Sequence, residues 1–256
     1  MRIALRISFD GTSYKGWQCQ PGQETVQKRM EDVLSMLCGK RIEVTGCGRT
    51  DSGVHARNYI LHLDIEDEHL DRIRTRKLNG LLPEDISVDG SWISGDDFHA
   101  RYDCFRRKYI YRITTRKDPF RKTNHFYFPS APKLKMELWD ELSAIIMTQK
   151  DFRSFSKSHS GLDHFTCHIQ ECQWVAEPEA GLLELHIAAN RFVRGMVRLI
   201  TGCFLNLGMG IHGLDEIKEA LKTGIQPGKL WSVPANGLTL EEVNYPPEIT
   251  GIWKTY

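Results

Sequence analysis

The chain has 256 residues, of which 34 are Lys or Arg and 33 are Asp or Glu, so its formal net charge is +1. Net charge therefore gives no argument for a nucleic-acid partner, and only the distribution of charge could give one. The seven cysteines are odd in number and irregularly spaced. This pattern excludes a disulfide framework and predicts reduced thiols in a cytoplasmic protein. No apolar run approaches a membrane span, and the first residues do not resemble a signal peptide.

In chain order, the first half alternates between strand and helix patterns. Residues 2–9 alternate apolar and polar side chains, which predicts a half-buried strand, and a glycine-rich turn follows. Apolar residues then recur at helical spacing over 26–37, with Thr25 as the N-cap and Gly39 ending the helix. We expect further strands at 41–45, 59–65 and 86–92, and a second helix over 70–81.

The second half repeats these patterns. We expect strands at 109–113, 166–176, 182–189 and 238–243, and helices at 138–146, 192–207 and 213–223. Amphipathic strands without strict strand–helix–strand alternation favour an α+β fold, with mainly antiparallel sheets and helices on one face. We expect two α/β subdomains, an N-terminal one over 1–103 and a C-terminal one over 104–256.

The loop GCGRTDSGVHARN, residues 46–58, surrounds one carboxylate with positive charge. Asp51 has Arg49, His55 and Arg57 as its neighbours, and three glycines allow close approach of a ligand. A cation within about 4–6 Å would keep the carboxylate ionised, which suits a nucleophile or a base. The alternative is a β-turn with a surface salt bridge.

Arginines recur in ANRFVRGMVRLITG, residues 189–202. Arg191, Arg194 and Arg198 are three and four residues apart, which predicts one face of a helix. The rest of that helix is apolar, and a cation in a buried helix needs an anionic partner, for which Asp51 is a candidate. The alternative is a solvated face with ordinary surface pairs.

A basic and aromatic segment covers residues 101–122, with nine Lys or Arg against two Asp and five interleaved aromatic residues. RNA-binding proteins use such segments, since cations meet phosphates and aromatic rings stack on bases. The alternative is a strand with one solvated face.

No P-loop, dinucleotide fingerprint, nucleophile elbow or metal-binding helix spacing occurs, so we predict neither a cofactor nor a metal.

Six stretches, in order and over nearly the full chain, resemble motifs of the TruA family of tRNA pseudouridine synthases. They are FDGTSYKGWQCQ (9–20), GRTDSGVHA (48–56), FHARYDCFRRKYIYRI (98–113), DFRSF (151–155), NRFVRGMVRLITG (190–202) and PANGLTL (234–240).

The resemblance implies the pseudouridine synthase fold, with an active-site cleft between the two subdomains. It implies an isomerase that converts uridine to pseudouridine at positions 38, 39 and 40 in the anticodon stem-loop of tRNA, working as a homodimer without a cofactor. By the matching motifs, Asp51 is the nucleophile, Tyr109 stacks on the uracil and Arg198 pairs with Asp51. Arg49 holds the RNA backbone, and we expect His55 and Arg57 to bind substrate beside it.

The sequence departs from the family motifs at a few positions. Ser52 replaces a usual Ala, and Cys167-His168-Ile169 stands where many members have Arg-Thr-Ile. The stretch SKSHSGLDHFTCHI contains His159, His164 and His168, and we expect a flexible loop near the RNA, with metal binding as the lesser alternative.

Two other functions compete with this interpretation. One is a catalytically silent RNA-binding protein on the same fold, which would not need Asp51, Tyr109 and Arg198 together. The other is a metal-dependent hydrolase, which would need a cluster of Asp and His ligands that the sequence does not supply.

Overall fold

The computed structural model describes residues 1–156, 164–228 and 230–251. Within these ranges the strands are β1 Arg2–Phe9, β2 Thr45–Gly46, β3 His55–Asp64, β4 Ile86–Ile93, β5 Arg106–Thr114, β6 Phe126–Tyr127, β7 Ile169–Glu177, β8 Leu182–Ala189 and β9 Leu238–Asn244. The α-helices are α1 Val26–Cys38, α2 Thr75–Asn79, α3 Trp139–Thr148, α4 Met196–Gly208, α5 Leu214–Thr223 and α6 Pro247–Thr250. None of these helices has the length and apolar content needed to cross a membrane. All seven cysteines are free.

The chain divides into two compact units, and the first contains Met1–Arg107 together with the segment from Thr239 onward. Its strand order is β4-β1-β3-β9. β1 pairs antiparallel with both β3 and β4, the short β2 pairs antiparallel with β3, and β9 pairs parallel with β3. The predicted alternation in β1 is confirmed, because Ile3, Leu5 and Ile7 are fully buried.

Helix α1 forms as its sequence predicts. The Thr25 hydroxyl accepts a hydrogen bond from the Lys28 amide at 3.3 Å, which satisfies one of the free amides of the first turn. Gly39 ends the helix with a φ of 70°, and its amide donates to the Ser35 carbonyl. The apolar side is buried, including Met30 and Leu34 at 0% exposure.

The second unit is Lys108–Leu238. Its strand order is β5-β8-β7, with β6 parallel to β5. β7 and β8 form an antiparallel pair, and α3 packs on β7 with the rings of Trp139 and Trp174 centred 4.5 Å apart. Every residue of α4 except Arg198 is buried. The two units together have mixed helix and strand content with mainly antiparallel pairing, as predicted for an α+β fold.

The helix predicted over 192–207 begins only at Met196. Gly195 precedes it with a φ of 74°, a left-handed conformation that interrupts the helix. Arg191 therefore does not share a helix face with Arg198, and neither does Arg194, so that prediction is wrong. Arg191 instead donates to Nε2 of His164 at 2.8 Å.

Two other elements differ from the predictions. The strand expected at 41–45 is confined to Thr45–Gly46, because the amides of Ile42 and Val44 bond to side chains of α1 instead of a neighbouring strand. The helix expected over 70–81 is split into a 3-10 helix at Asp67–Arg72 and α2, since Arg74 is extended with a ψ of 142°. Of the histidine-rich stretch, His159 lies outside the described residues.

We predict that Gly202→Ala destabilises the fold. A Cβ at Gly202 would lie 1.7 Å from the Trp231 carbonyl oxygen, so α4 would have to move away from that segment. Gly→Ala inside a helix is ordinarily stabilising by about 1 kcal/mol, whereas this overpacking should reverse the sign and cost about 1–3 kcal/mol. Urea denaturation measures it, with Gly80→Ala as control because a Cβ there meets nothing closer than 3.5 Å and the backbone is right-handed helical. Equal midpoints for Gly202→Ala and wild type would contradict the packing described.

We predict that His62 makes the protein less stable in acid. Burial, with Arg2 and His99 nearby, lowers the pKa of His62 from 6.5 to about 4, and its Nδ1 accepts from the Ala100 amide at 3.1 Å. Between these two values the unfolded chain binds more protons than the folded one, so stability falls as the pH falls through that window.

The free energy of unfolding at pH 7 and at pH 5 measures this effect. His62→Asn keeps a hydrogen-bond acceptor without the titration, so its loss of stability in acid should be smaller than that of wild type by roughly 1–2 kcal/mol. The control is His168→Asn at an exposed position. A loss in His62→Asn as large as in wild type would refute the assignment.

Candidate active site

The turn that carries Asp51 lies between β2 and β3 in the first unit. Asp51 is half-buried, and its carbonyl accepts from the Val54 amide at 3.2 Å. Two groups of the turn, the Gly53 amide and the Ser52 hydroxyl, donate to the Tyr14 carbonyl at 3.2 Å each. The turn is therefore bonded to the opening glycine-rich segment, residues 10–17.

The opening segment packs backbone against backbone on this turn. A Cβ at Gly11 would lie 2.0 Å from the Val54 carbonyl oxygen. A Cβ at Gly16 would lie 2.4 Å from the Thr50 carbonyl oxygen and 3.2 Å from the carbonyl carbon of Asp51. Gly16 also has a φ of 89°, which disfavours side chains. Glycine is thus required on both sides of the Asp51 turn.

Two buried aromatic residues pack against the Asp51 loop. The rings of Trp17 and Tyr59 stack with centroids 4.2 Å apart, and both residues are buried. The Tyr59 hydroxyl donates to the Gly48 carbonyl, and the Trp17 amide donates to the Thr50 carbonyl at 3.3 Å. These contacts fix the loop on either side of Arg49.

Arg107 holds the start of the loop from inside the first unit. Its side chain is only 9% exposed, and its Nε and Nη2 donate to the Cys47 carbonyl at 3.1 and 2.7 Å. Nη2 also donates to the Arg101 carbonyl at 2.7 Å. Arg107 lies in the motif stretch 98–113, but no role was predicted for it from the sequence. Its signal was the alternation of β5, which places Arg107 in phase with the buried Tyr109 and Tyr111.

Arg49 is exposed, and a chain of hydrogen bonds connects it to α1. Its Nε donates to Gln18 at 3.3 Å, the Gln18 amide donates to Gln27 at 2.7 Å, and the Gln27 amide donates to Glu31 at 2.9 Å. Glu31 also accepts from the Val44 amide at 3.0 Å. The exposed guanidinium is therefore positioned through its hydrogen bond to Gln18.

A surface pocket of about 390 Å³ lies beside this chain of side chains, entirely within the first unit. Its polar floor includes Gln18, Gln27 and Glu31. The exposed Arg41, Arg49 and Arg101 also line it, together with the exposed Glu43. Guanidinium groups at such a pocket suit phosphate, because each presents several fixed donors.

The other two residues predicted near Asp51 have partners in the first unit. His55 is buried at the start of β3, and its Nδ1 accepts from the Gly11 amide at 3.0 Å. His55 therefore helps to hold the opening segment against the loop. The Arg57 side chain is exposed, with its Nε 3.7 Å from the carboxylate of Glu241 on β9.

In the second unit, Tyr109 is a buried residue of β5. Its ring meets that of Phe192 edge-on, with centroids 5.3 Å apart and planes at 86°. Arg198 lies on α4, and its Nε donates to the Val233 carbonyl at 2.7 Å. The start of the motif 234–240 contacts β5, the strand that carries Tyr109, because the Tyr111 hydroxyl donates to the Pro234 carbonyl at 2.8 Å.

The positive charges of β5 are paired within the protein. Arg106 contacts Glu242 at 3.2 Å, and Lys108 contacts Glu171 at 2.8 Å. Arg112 contacts Glu184 at 3.1 Å. Hydrogen bonds from His186 and Arg112 lower the pKa of Glu184, although burial opposes them. The exposed positive charge of the segment 101–122 therefore lies at Arg101 and in the loop after the strand.

Comparisons with known proteins identify the family of this chain. A family model described as tRNA pseudouridine synthase matches residues 149–246, which gives the class of protein. Proteins named tRNA pseudouridine synthase A from Parabacteroides distasonis, Bacteroides fragilis and Bacillus subtilis are 36%, 37% and 33% identical to the chain. The alignments cover 97%, 97% and 96% of this chain and 97%, 98% and 99% of those relatives. The chain therefore belongs to the tRNA pseudouridine synthase A family, whose members are isomerases.

We predict that Gly16→Ala lowers catalytic efficiency much more than Gly22→Ala. Both glycines have positive φ values, 89° and 69°, so both substitutions strain the backbone. Only at Gly16 does the added Cβ meet the Asp51 turn, whereas Gly22 has nothing within 4 Å. A displacement of the turn by about 1 Å should reduce kcat/KM by about 100-fold. Pseudouridine formation on tRNA measures it, and circular dichroism checks folding. Equal kcat/KM for the two variants would contradict this account.

Proposed function

We propose that this protein converts uridine to pseudouridine at positions 38, 39 and/or 40 in the anticodon stem-loop of tRNA, with Asp51 as the nucleophile. The observation that carries the proposal is the rigid turn in the first unit, which holds a half-buried carboxylate two residues from an exposed arginine. A fixed carboxylate beside a phosphate-binding cation suits an attack on RNA. Membership of the family supports the same reaction.

The reaction balances without redox chemistry or hydrolysis. The bond between N1 of uracil and C1′ of ribose breaks, a bond from C5 to C1′ forms, C5 loses a proton and N1 gains one. An ionised Asp51 can begin this sequence by attack at C1′ or at C6, and the proposal holds for either route. We assign to Arg198 the role of the cation that keeps this carboxylate ionised.

Tyr109 is proposed to stack on the uracil once that base has left its own stack. An aromatic face lowers the cost of the extruded state, because it replaces part of the lost base stacking. The edge contact with Phe192 supports this role by fixing the plane of the Tyr109 ring. Its hydroxyl is the proposed acceptor of the C5 proton.

The remaining residues are proposed to hold the RNA near Asp51. Arg49 would contact a phosphate, which its exposure and the adjoining pocket support. Arg57 would contact a second phosphate, since its side chain is 65% exposed. His55 would act through the opening segment, by its bond to the Gly11 amide. We further propose a cytoplasmic homodimer that needs neither metal nor cofactor.

Unmodified tRNA transcripts test this function. One transcript carries uridine at positions 38, 39 and 40, and three others carry cytidine at one of these positions in turn. The protein should form pseudouridine at one or more of the uridines at positions 38, 39 and 40 and at no other uridine of the transcript, in buffer with EDTA. Chemical labelling and sequencing map the product. Binding of tRNA without any product, product at other positions, or activity abolished by EDTA would contradict the proposal.

A further inference from the structure

The loop between β5 and β6, residues 115–125, presents an unburied aromatic ring. Phe120 is 94% exposed, the largest value among the exposed large apolar side chains of the described residues. An apolar ring of this size in water is unfavourable, because burial of a Phe side chain is ordinarily worth about 1.5–3 kcal/mol. The ring is therefore available to contact a ligand.

The loop is held in place at both ends of its turn. Asp118 accepts from the Phe120 amide at 2.9 Å and pairs with Arg121 at 3.3 Å, which forms the short 3-10 helix Pro119–Arg121. The Asn236 amide donates to the carbonyls of Lys122 and His125 at 3.3 and 2.7 Å. These bonds fix the backbone that carries the ring, so the ring is presented in a preorganised way.

Cations flank Phe120 in the sequence of this loop. Arg116, Lys117 and Lys122 are exposed, and Arg121 is half-exposed. The one acidic residue of the loop, Asp118, already serves the turn and pairs with Arg121. By contrast, the cations of the preceding strand pair with glutamates, namely Glu171, Glu184 and Glu242. The loop thus combines an aromatic face with exposed positive charge.

We propose that Phe120 stacks on an unpaired base of the tRNA substrate, while the cations beside it contact the adjacent phosphates. RNA is the occupant that this chemistry fits, because single-stranded RNA offers base faces and phosphates within one nucleotide. A protein partner would find one ring among like charges, without the apolar surroundings of a buried interface core. The identity of the RNA rests on the proposed function. The contact itself can be measured by binding alone.

Binding of unmodified tRNA transcript to the full-length protein tests the ring. Phe120→Ala should raise the Kd for tRNA about tenfold, since stacking on one base contributes on the order of 1–3 kcal/mol. Phe120→Trp should restore the wild-type Kd, whereas Phe120→Leu, apolar but without a ring, should not. Ile225→Ala, at a 71% exposed apolar residue of the same unit, is the matched control and should leave the Kd unchanged.

The salt dependence of tRNA binding distinguishes the contribution of the Phe120 ring from that of the neighbouring cations. Replacing Arg116 and Lys117 by Gln should lower the slope of log Kd against log salt by about 0.7 to 0.9 for each phosphate that these cations no longer neutralise. Phe120→Ala should weaken binding with the wild-type slope, because a ring releases no counterions.

Two results would overturn the proposal. One is an unchanged Kd in Phe120→Ala, and the other is a Leu variant that binds as tightly as wild type. If the Kd of Phe120→Ala is unchanged and its sedimentation changes from dimer to monomer, the ring belongs to a protein interface instead. Failure of the proposed function would look different, since wild type would then form no pseudouridine whatever the Phe120 variants bind.

Discussion

The backbone contact between the opening segment and the Asp51 turn is the constraint on which the candidate site depends. Gly11 and Gly16 lie so close to this turn that neither position can carry a Cβ without displacing it. The turn also donates to the Tyr14 carbonyl, and the Trp17–Tyr59 stack supports the adjoining loop. Backbone groups have no side-chain rotamers, so contacts between them can hold the backbone of Asp51 in one position.

The fold also determines where positive charge lies at the surface. Some cations bond to carbonyls or glutamates within the protein, and others are exposed. Arg107 binds the Cys47 carbonyl, and the paired cations of β5 neutralise glutamates of the same unit. Arg49 and the loop around Phe120 keep their charge at the surface. A net charge of +1 thus coexists with local positive charge, which is the property that matters for RNA.

Much of the fold could be predicted because it depends on local chemistry. The limits of α1 follow from Thr25 and Gly39, and the burial of β1 follows from its alternation. The prediction that Arg191, Arg194 and Arg198 share a helix face was wrong. Spacing of three and four residues does not reveal that Gly195 is left-handed and that the helix begins after it. The motif identified the Asp51 loop, but the role of Arg107 depends on a carbonyl 60 positions away in the sequence, which periodicity cannot show.

The central claim is that the Asp51 carboxylate starts the isomerisation, and C5 proton release measures this most directly. tRNA labelled with tritium at C5 of its uridines is mixed with excess protein, so that one turnover is followed at saturating binding. Wild type should release tritium from the modified positions, Asp51→Glu should release it more slowly, and Asp51→Asn should release none while binding the same tRNA. Release from Asp51→Asn at the wild-type rate would contradict the account.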